Sequence, residues 1–255
     1  MNIPKHSRVL IIGGGVVGCS VAYHLGKKGW SDVVLLERKK LTSGTTWHAA
    51  GLIAQLRATQ NMTRLAKYSQ ELYWNLEKET GVSTGFKRNG SMTLALTSER
   101  LEELKRQSDM ARAFGVEVEN IDLNEIAKKY PHLKLDDVVG GVWLPKDGQA
   151  DPVNITLALA KGAKNYGVKI FENIKVRDIV TKDNKVDSVI TEYGDIKTDF
   201  IVNCGGMWGQ EIGNMSGVSV PVHACEHFYI VTEPIKDLKS ELPVLRVPDE
   251  CAYYK

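Results

Sequence analysis

Cysteine is scarce in this chain of 255 residues: four in all, Cys19, Cys204, Cys225 and Cys251. None forms a C-x-x-C pair and no zinc spacing is present, so the sequence carries no signal for a metal centre. Cys19 falls in an expected helix and Cys204 at an expected strand end, positions that suit reduced, structural thiols. Long apolar runs are missing as well; residues 9–12 are far too few to span a bilayer. Charge of one sign is missing: 33 Lys and Arg stand against 31 Asp and Glu, for a formal charge of +2. No stretch is strongly basic, which leaves nucleic acid without an electrostatic footprint. The opening MNIPKHSR has no apolar core of a signal peptide. No repeat or low-complexity linker is found. The expectation is a soluble, cytoplasmic protein that binds neither nucleic acid nor membrane. The composition, 43% hydrophobic and 25% charged, is that of a globular chain long enough for a proper core.

What the chain does contain begins with a short apolar run over 8–12, a buried strand. Gly13-Gly14-Gly15-Val16-Val17-Gly18 follows and matches G-x-G-x-x-G. Residues 17–25 read as a helix ended near Gly29, 33–36 as a second buried strand, and Glu37 closes it about two dozen residues after Gly13. Strand, glycine turn, helix, strand and acid in this order predict a dinucleotide site. Gly13 permits the tight turn, Gly15 lets backbone N–H groups approach a pyrophosphate, and Gly18 lets helix and strand pack closely. The helix N-terminus favours phosphate. Glu37 suits ribose hydroxyls and would repel a 2′-phosphate.

Further along, 62–80 and 98–114 show helical periodicity. Asn89-Gly90 within 86–95 gives a hairpin signal. Asp122 with Glu125 predicts a capped short helix before Pro131, and Asp151-Pro152 starts another. Strands are expected over 138–144, 170–172, 176–180, 186–191 and 200–203, and as fragments at 222, 227–232 and 244–246. A helix is expected from about Trp208. Sheet elements resume near Lys169 after mixed material. This order predicts an α/β fold in which a Rossmann-type nucleotide-binding domain (1–85 and 150–217) is interleaved with a mixed α+β substrate domain (86–149 and 218–255). The chain stops within a strand-like stretch, which reads as a C-terminal truncation.

Residues 42–52, TSGTTWHAAGL, are poor strand and poor helix. Gly44 and Gly51 bracket the hydroxyls of Thr45 and Thr46, and His48 sits beside Trp47. Small residues let backbone approach something flat and large. This run, Gly13–Gly18, Glu37 and the VNCGGMW segment at 202–208 together resemble the D-amino-acid-oxidase-like flavoenzymes, and more narrowly the dimethylglycine and sarcosine dehydrogenases. The likeness runs over the whole length, including 77–85, 147–152 and 242–246.

The resemblance implies FAD, carried covalently on His48 through the 8α-methyl carbon. It implies FAD contacts from Val16, Val17, Glu37, Arg38, Gly44, Thr45, Thr46, Trp47, His48, Ala49, Ala50, Gly51 and Leu52. It adds Val176 through its backbone and Trp208. The plain alternatives are an ordinary strand valine, a packed tryptophan at a helix start, and a histidine that only hydrogen-bonds the flavin. His227 and Tyr253 match active-site residues of the related oxidases, with Tyr254 a rival for Tyr253. His227 would free the amine lone pair; Tyr253 would hold the carboxylate or polarise His227. Lys255 stands where the family tends to have arginine, and Cys251 has no role assigned. The implied reaction is oxidative N-demethylation of dimethylglycine or sarcosine, by hydride transfer from the N-methyl carbon to flavin N5. Electron-transferring flavoprotein is the implied acceptor. Tetrahydrofolate would enter only through a C-terminal domain that this chain lacks, as it lacks the last glycine-rich segment over the flavin, so the chain alone would bind FAD poorly and turn over little. The competing reading is a non-catalytic regulatory relative of the same fold, like the pyruvate dehydrogenase phosphatase regulatory subunit. A nicotinamide-dependent dehydrogenase fits Gly13–Gly18 and Glu37 but leaves 42–52 unexplained.

Overall fold

The computed structural model describes residues 3–255. In chain order the elements are β1 (His6–Ile12), α1 (Val16–Lys27), β2 (Val33–Leu36), a 3-10 turn (Thr45–His48), β3 (Leu52–Ile53), α2 (Gln60–Thr80), β4 (Ser91–Ala95), α3 (Ser98–Ala113), β5 (Glu119–Ile121), α4 (Leu123–Lys129), β6 (Gly140–Leu144), β7 (Gly148–Gln149), α5 (Pro152–Asn165), β8 (Lys169–Phe171), β9 (Val176–Lys182), β10 (Lys185–Thr191), β11 (Gly194–Asn203), α6 (Gly209–Met215), β12 (Val244–Val247) and β13 (Ala252–Tyr254). Two units interleave along the chain: residues 1–49, 76–84 and 152–228 in one, and 50–75, 85–151 and 229–255 in the other. Residues 50–75, placed by the sequence pattern with the nucleotide-binding part, cluster with the second unit. There Gln55 bonds Gln70 and donates its N–H to Asp147 at 2.9 Å. No helix among the described residues is long and apolar enough to cross a membrane.

The first unit is built on a six-stranded sheet, ordered β8-β2-β1-β11-β10-β9. β1 lies parallel to both β2 and β11, and β8 is parallel to β2, while β9 and β10 form an antiparallel extension. Strand β2 is buried at all four positions, which explains its unbroken VVLL run. Leu10, Ile12, Val34, Leu36, Ile179, Val189 and Ile196 form the core on one face. Each such aliphatic side chain contributes about 1.5–3 kcal/mol on burial. On α5, Gly162 lies against the ring of Tyr23, so that α5 approaches α1 closely. Around it, Glu79 accepts from the hydroxyls of Tyr23 (2.7 Å) and Tyr166 (2.9 Å) and pairs with Lys27 at 3.3 Å.

The second unit carries a five-stranded mixed sheet, β13-β12-β4-β6-β5, and the small β3-β7 pair. Helix α4 begins with the expected box: Asp122 accepts from the Glu125 N–H at 2.9 Å, and Glu125 reaches back to the Asp122 N–H.

Two local expectations fail as well. Asn89-Gly90 is not a hairpin tip, because Lys87, upstream of it, exchanges backbone hydrogen bonds with Gln149 instead. Gly90, at φ +81°, is there because a Cβ would run into the Trp143 indole. Residues 222 and 227–232 form no strand. Their β-branched and aromatic composition supplies propensity, but a strand needs a neighbour to pair with. No strand ladder among the described residues includes them, and Ile230 is 90% exposed.

Candidate cofactor site

The glycine turn joins β1 to α1 as the spacing requires. Gly13 adopts φ +111°, and a Cβ on it would collide with the Cys204 carbonyl at the end of β11. A Cβ on Gly18 would collide with the Gly13 carbonyl, so this position admits the helix only without a side chain. Gly15 is the N-cap of α1 and offers no side-chain cap; the first turn carries no acid. The helix therefore carries no acid of its own at its positive end.

Thr46, on the 3-10 turn, supplies what Gly15 cannot. Its hydroxyl accepts from the Val16 N–H at 3.0 Å. A Cβ on Gly15 would come within 2.9 Å of that same oxygen. Thr42, at φ +72°, donates its N–H to the Gly14 carbonyl at 3.0 Å. The loop is thus held on the glycine turn by two bonds from its own residues. Leu41, just before it, donates to Glu172 at 2.7 Å, a brace that sequence spacing does not reveal.

Glu37 is buried at the end of β2. Its carboxylate accepts from the Gly14 N–H at 2.7 Å and from the Lys39 N–H at 2.8 Å, one bond on each oxygen. A carboxylate offers about four acceptor sites, so capacity for ribose hydroxyls remains. The Arg38 guanidinium stacks 3.7 Å above the Trp208 ring, and Gly44 leaves room beside that ring. The Trp47 and His48 rings lie 3.7 Å apart, and both residues are exposed. Val17 is exposed as well, as is Met207. Burial pushes the Cys19 thiol up to about 12 and the Cys204 thiol to about 11; both flank the turn as neutral groups.

The first unit thus brings together Gly13, Gly15, Val16, Gly18, Glu37, Arg38, Gly44, Thr46 and Trp208. Val17, Thr45, Trp47, His48 and Ala49 belong to the same unit. The Val176 side chain packs in the core, which leaves only its backbone for any ligand. Ala50, Gly51 and Leu52 belong to the second unit. There Gly51 (φ +74°) passes against Ala150, Leu52 pairs with Gln149, and the Lys255 ammonium donates to the Ala50 carbonyl at 2.6 Å. His227 is exposed, lies outside any helix or strand, and bonds no other candidate residue. It belongs to the first unit and Tyr253 to the second.

Strand register separates Tyr253 from its rival. Tyr254 sits opposite Leu245 and lines an apolar cavity of about 170 Å³ with Leu94, Tyr130 and Val247. Tyr253 is opposite Arg246 and points to the other face.

The residues fit FAD on main-chain grounds: a cradle that side chains would fill, an acid-free helix N-terminus, a ribose acceptor, and exposed apolar surface at Val17, Trp47 and Met207.

Comparison with known proteins agrees. The family model "FAD dependent oxidoreductase" (DAO) matches residues 8–255. The chain is 39% identical over 256 residues to the mitochondrial pyruvate dehydrogenase phosphatase regulatory subunit of Mus musculus, covering 99% of this chain and 29% of that protein. It is 39% identical to mitochondrial sarcosine dehydrogenase of Mus musculus, covering 99% and 28%. To mitochondrial dimethylglycine dehydrogenase of Rattus norvegicus it is 41% identical, covering 94% and 28%. The chain therefore spans less than a third of the length of these curated relatives. Among solved structures, L-proline dehydrogenase from P. horikoshii superposes with a TM-score of 0.85 at 30% identity, over 96% of this chain and 65% of that one.

Proposed function

The chain belongs to the DAO family of FAD-dependent oxidoreductases, and from that premise we propose that it serves the oxidative N-demethylation of dimethylglycine or sarcosine, with FAD attached to His48. The observation that carries this reading is the 3-10 turn Thr45–His48, whose Thr46 is bonded to the N-terminus of α1 while His48 stays exposed one turn residue before the backbone leaves the unit. A histidine whose ring is held against Trp47 has restricted orientations and remains accessible. When bound, FAD supplies a two-electron acceptor for hydride leaving an N-methyl carbon.

The remaining roles fall to the chain. Gly13, Gly15 and Gly18 admit the pyrophosphate, Glu37 takes the ribose, and Arg38 with Trp208 walls the loop. His227 accepts the proton of the amine so that the nitrogen lone pair can assist loss of hydride. Tyr253 hydrogen-bonds the substrate. Water then adds to the resulting iminium, and the secondary or primary amine leaves with formaldehyde; where tetrahydrofolate is at hand, it takes the one-carbon unit instead. Electron-transferring flavoprotein is the proposed electron acceptor.

The test is direct. Protein from a flavin-replete host is denatured in acid and precipitated. Yellow colour in the pellet, lost in His48→Ala, is the expected result. Colour that stays in the supernatant of the unaltered protein refutes the attachment. Turnover with dimethylglycine and sarcosine, and none with betaine, is expected in the same preparation. The likeness to the regulatory subunit favours a second reading, a non-catalytic member of the same fold. A protein free of flavin and inert to both amines would establish that reading.

A further inference from the structure

Lys255 follows β13 directly, so the ladder that sets Tyr253 opposite Arg246 and Tyr254 opposite Leu245 also fixes the point from which its side chain leaves the sheet. The ammonium donates to the Ala50 carbonyl at 2.6 Å and to the Ala150 carbonyl at 3.3 Å. Two main-chain acceptors from distant segments thus converge on one cation. Burial pushes its ionisation down, and the charge of Asp151 opposes that. All of these residues belong to the second unit.

Gly51 makes room for the arrangement. It adopts φ +74°, and a Cβ on it would come within 2.1 Å of the Ala150 carbonyl oxygen and 3.1 Å of the Lys255 nitrogen. The Ala150 N–H donates to the Gly51 carbonyl at 2.9 Å, and Leu52 pairs with Gln149 beyond it. Residues 50–52 are therefore fixed to 149–150, and Lys255 secures the first of them. An ammonium has three donors, so it takes up the second carbonyl without releasing the first. Hydrogen bonds from a charged donor are roughly twice as strong as neutral ones. Other lysines of this unit pair with carboxylates instead: Lys87 with Glu241, Lys105 with Glu102, and Lys146 with Glu117.

Ala50 lies two residues after His48, and two residues of extended chain span at most about 7 Å. Upstream, the Ala49 N–H donates to the Thr46 carbonyl at 3.1 Å and closes the 3-10 turn. Only Ala49 separates the anchor from that turn.

We propose that Lys255 is a positioning residue, whose ammonium anchors the Ala50 end of the 42–52 loop and so holds His48 where flavin attachment requires it. The second half of this statement rests on the reading of His48 as the attachment residue; the anchor itself does not.

The test has two arms. In flavin-free protein, Lys255→Met is expected to lower the hydrogen-exchange protection of the Ala150 N–H at least about tenfold, the scale of one charge-assisted bond. Lys255→Arg keeps a charged donor and should restore most of it. In the second arm, excess FAD is added in air to flavin-free protein, and the rate at which yellow colour becomes acid-precipitable is followed. Lys255→Met should slow that rate at least about tenfold, and Lys255→Arg should recover most of it. Lys105→Met, which breaks an ion pair of the same unit on α3, should move neither reading. Unchanged protection of Ala150 in Lys255→Met overturns the anchor and the proposal with it. Lost protection with an unchanged attachment rate overturns the positioning role. If the unaltered protein attaches no flavin while Ala150 protection still depends on Lys255, the attachment reading falls and the anchor stands.

Discussion

Asp147 connects three parts of the second unit, and its ionisation makes a quantitative prediction. The side chain is 2% exposed. One oxygen accepts from the Gln55 N–H at 2.9 Å, the other from the Ser91 hydroxyl at 2.7 Å. Burial raises its carboxyl from the ordinary 3.8 to about 6, against the opposing effect of those two bonds and the charge of Arg57. In the folded protein the proton is therefore retained at pH values where the unfolded chain has released it. Between about 3.8 and about 6 the folded state binds more protons, so stability falls as pH rises through that window. Below it both states are protonated; above it both are ionised, and the slope vanishes. The size of the raised value corresponds to about 3 kcal/mol. Asp147→Asn is neutral at every pH; its carbonyl can still accept from Gln55, and its amide can donate to Ser91. Urea unfolding of both proteins from about pH 3 to about pH 7 should show the wild type losing about 3 kcal/mol relative to the variant. The comparison cancels the other titrating groups. A difference that stays constant across the window would refute the burial argument.

The glycine cradle and its braces give three further expectations. Gly13→Ala combines φ +111° with a clash against the Cys204 carbonyl; it should lower the melting temperature and abolish FAD binding read by flavin fluorescence, with strain of about 1–3 kcal/mol or more. Thr46→Val removes the acceptor of the Val16 N–H; a loss of about 1 kcal/mol in unfolding free energy is expected, and Thr46→Ser should restore it. Glu79 is pushed up by burial but pulled further down by Tyr23, Tyr166 and Lys27, for a net lowering. Its contribution is present above the ordinary carboxylate range and is lost as pH falls through its lowered value. Glu79→Gln should therefore weaken the protein at neutral pH, and the gap to wild type should close in acid, measured by thermal unfolding.

How far the sequence discloses these features depends on the range of the contacts involved. The strand, glycine turn, helix and acid over 6–37 are legible because each signal is local: apolar runs of strand length, glycines at fixed offsets, an acid at the strand end. The Asp122–Glu125 box and the Asp151-Pro152 helix start are legible for the same reason. The pairing of β12 with β4 is not, because it joins residues about 150 positions apart, and register between such strands is set by the whole sheet. Lys255, which stands where the family tends to have arginine, donates in the fold to two backbone carbonyls that its place in the sequence does not disclose. Asn89-Gly90 carries a hairpin's composition, yet its glycine answers to an indole ring from β6. In each case a tertiary contact decides what a local pattern leaves open.

The 42–52 loop bears most of the functional weight because of what the glycine cradle cannot distinguish. Gly13, Gly15, Gly18 and Glu37 act through main-chain geometry and one carboxylate, a combination that would serve a dinucleotide in an oxidoreductase or in a non-catalytic relative alike. Discrimination must come from side chains with a chemical task. Within the loop Thr42 and Thr46 are spent on bonds to the glycine turn. At its other end Ala50 is held by Lys255, Gly51 receives the Ala150 N–H at 2.9 Å, and Leu52 is paired with Gln149. Both ends are fixed for structural reasons, and His48 lies between them, on the last residue of the 3-10 turn. A histidine needed only for packing would be buried, and this one is exposed beside an exposed tryptophan. His48, exposed between two flanks held by backbone bonds, is the residue at which the proposed attachment to FAD and the non-catalytic reading part.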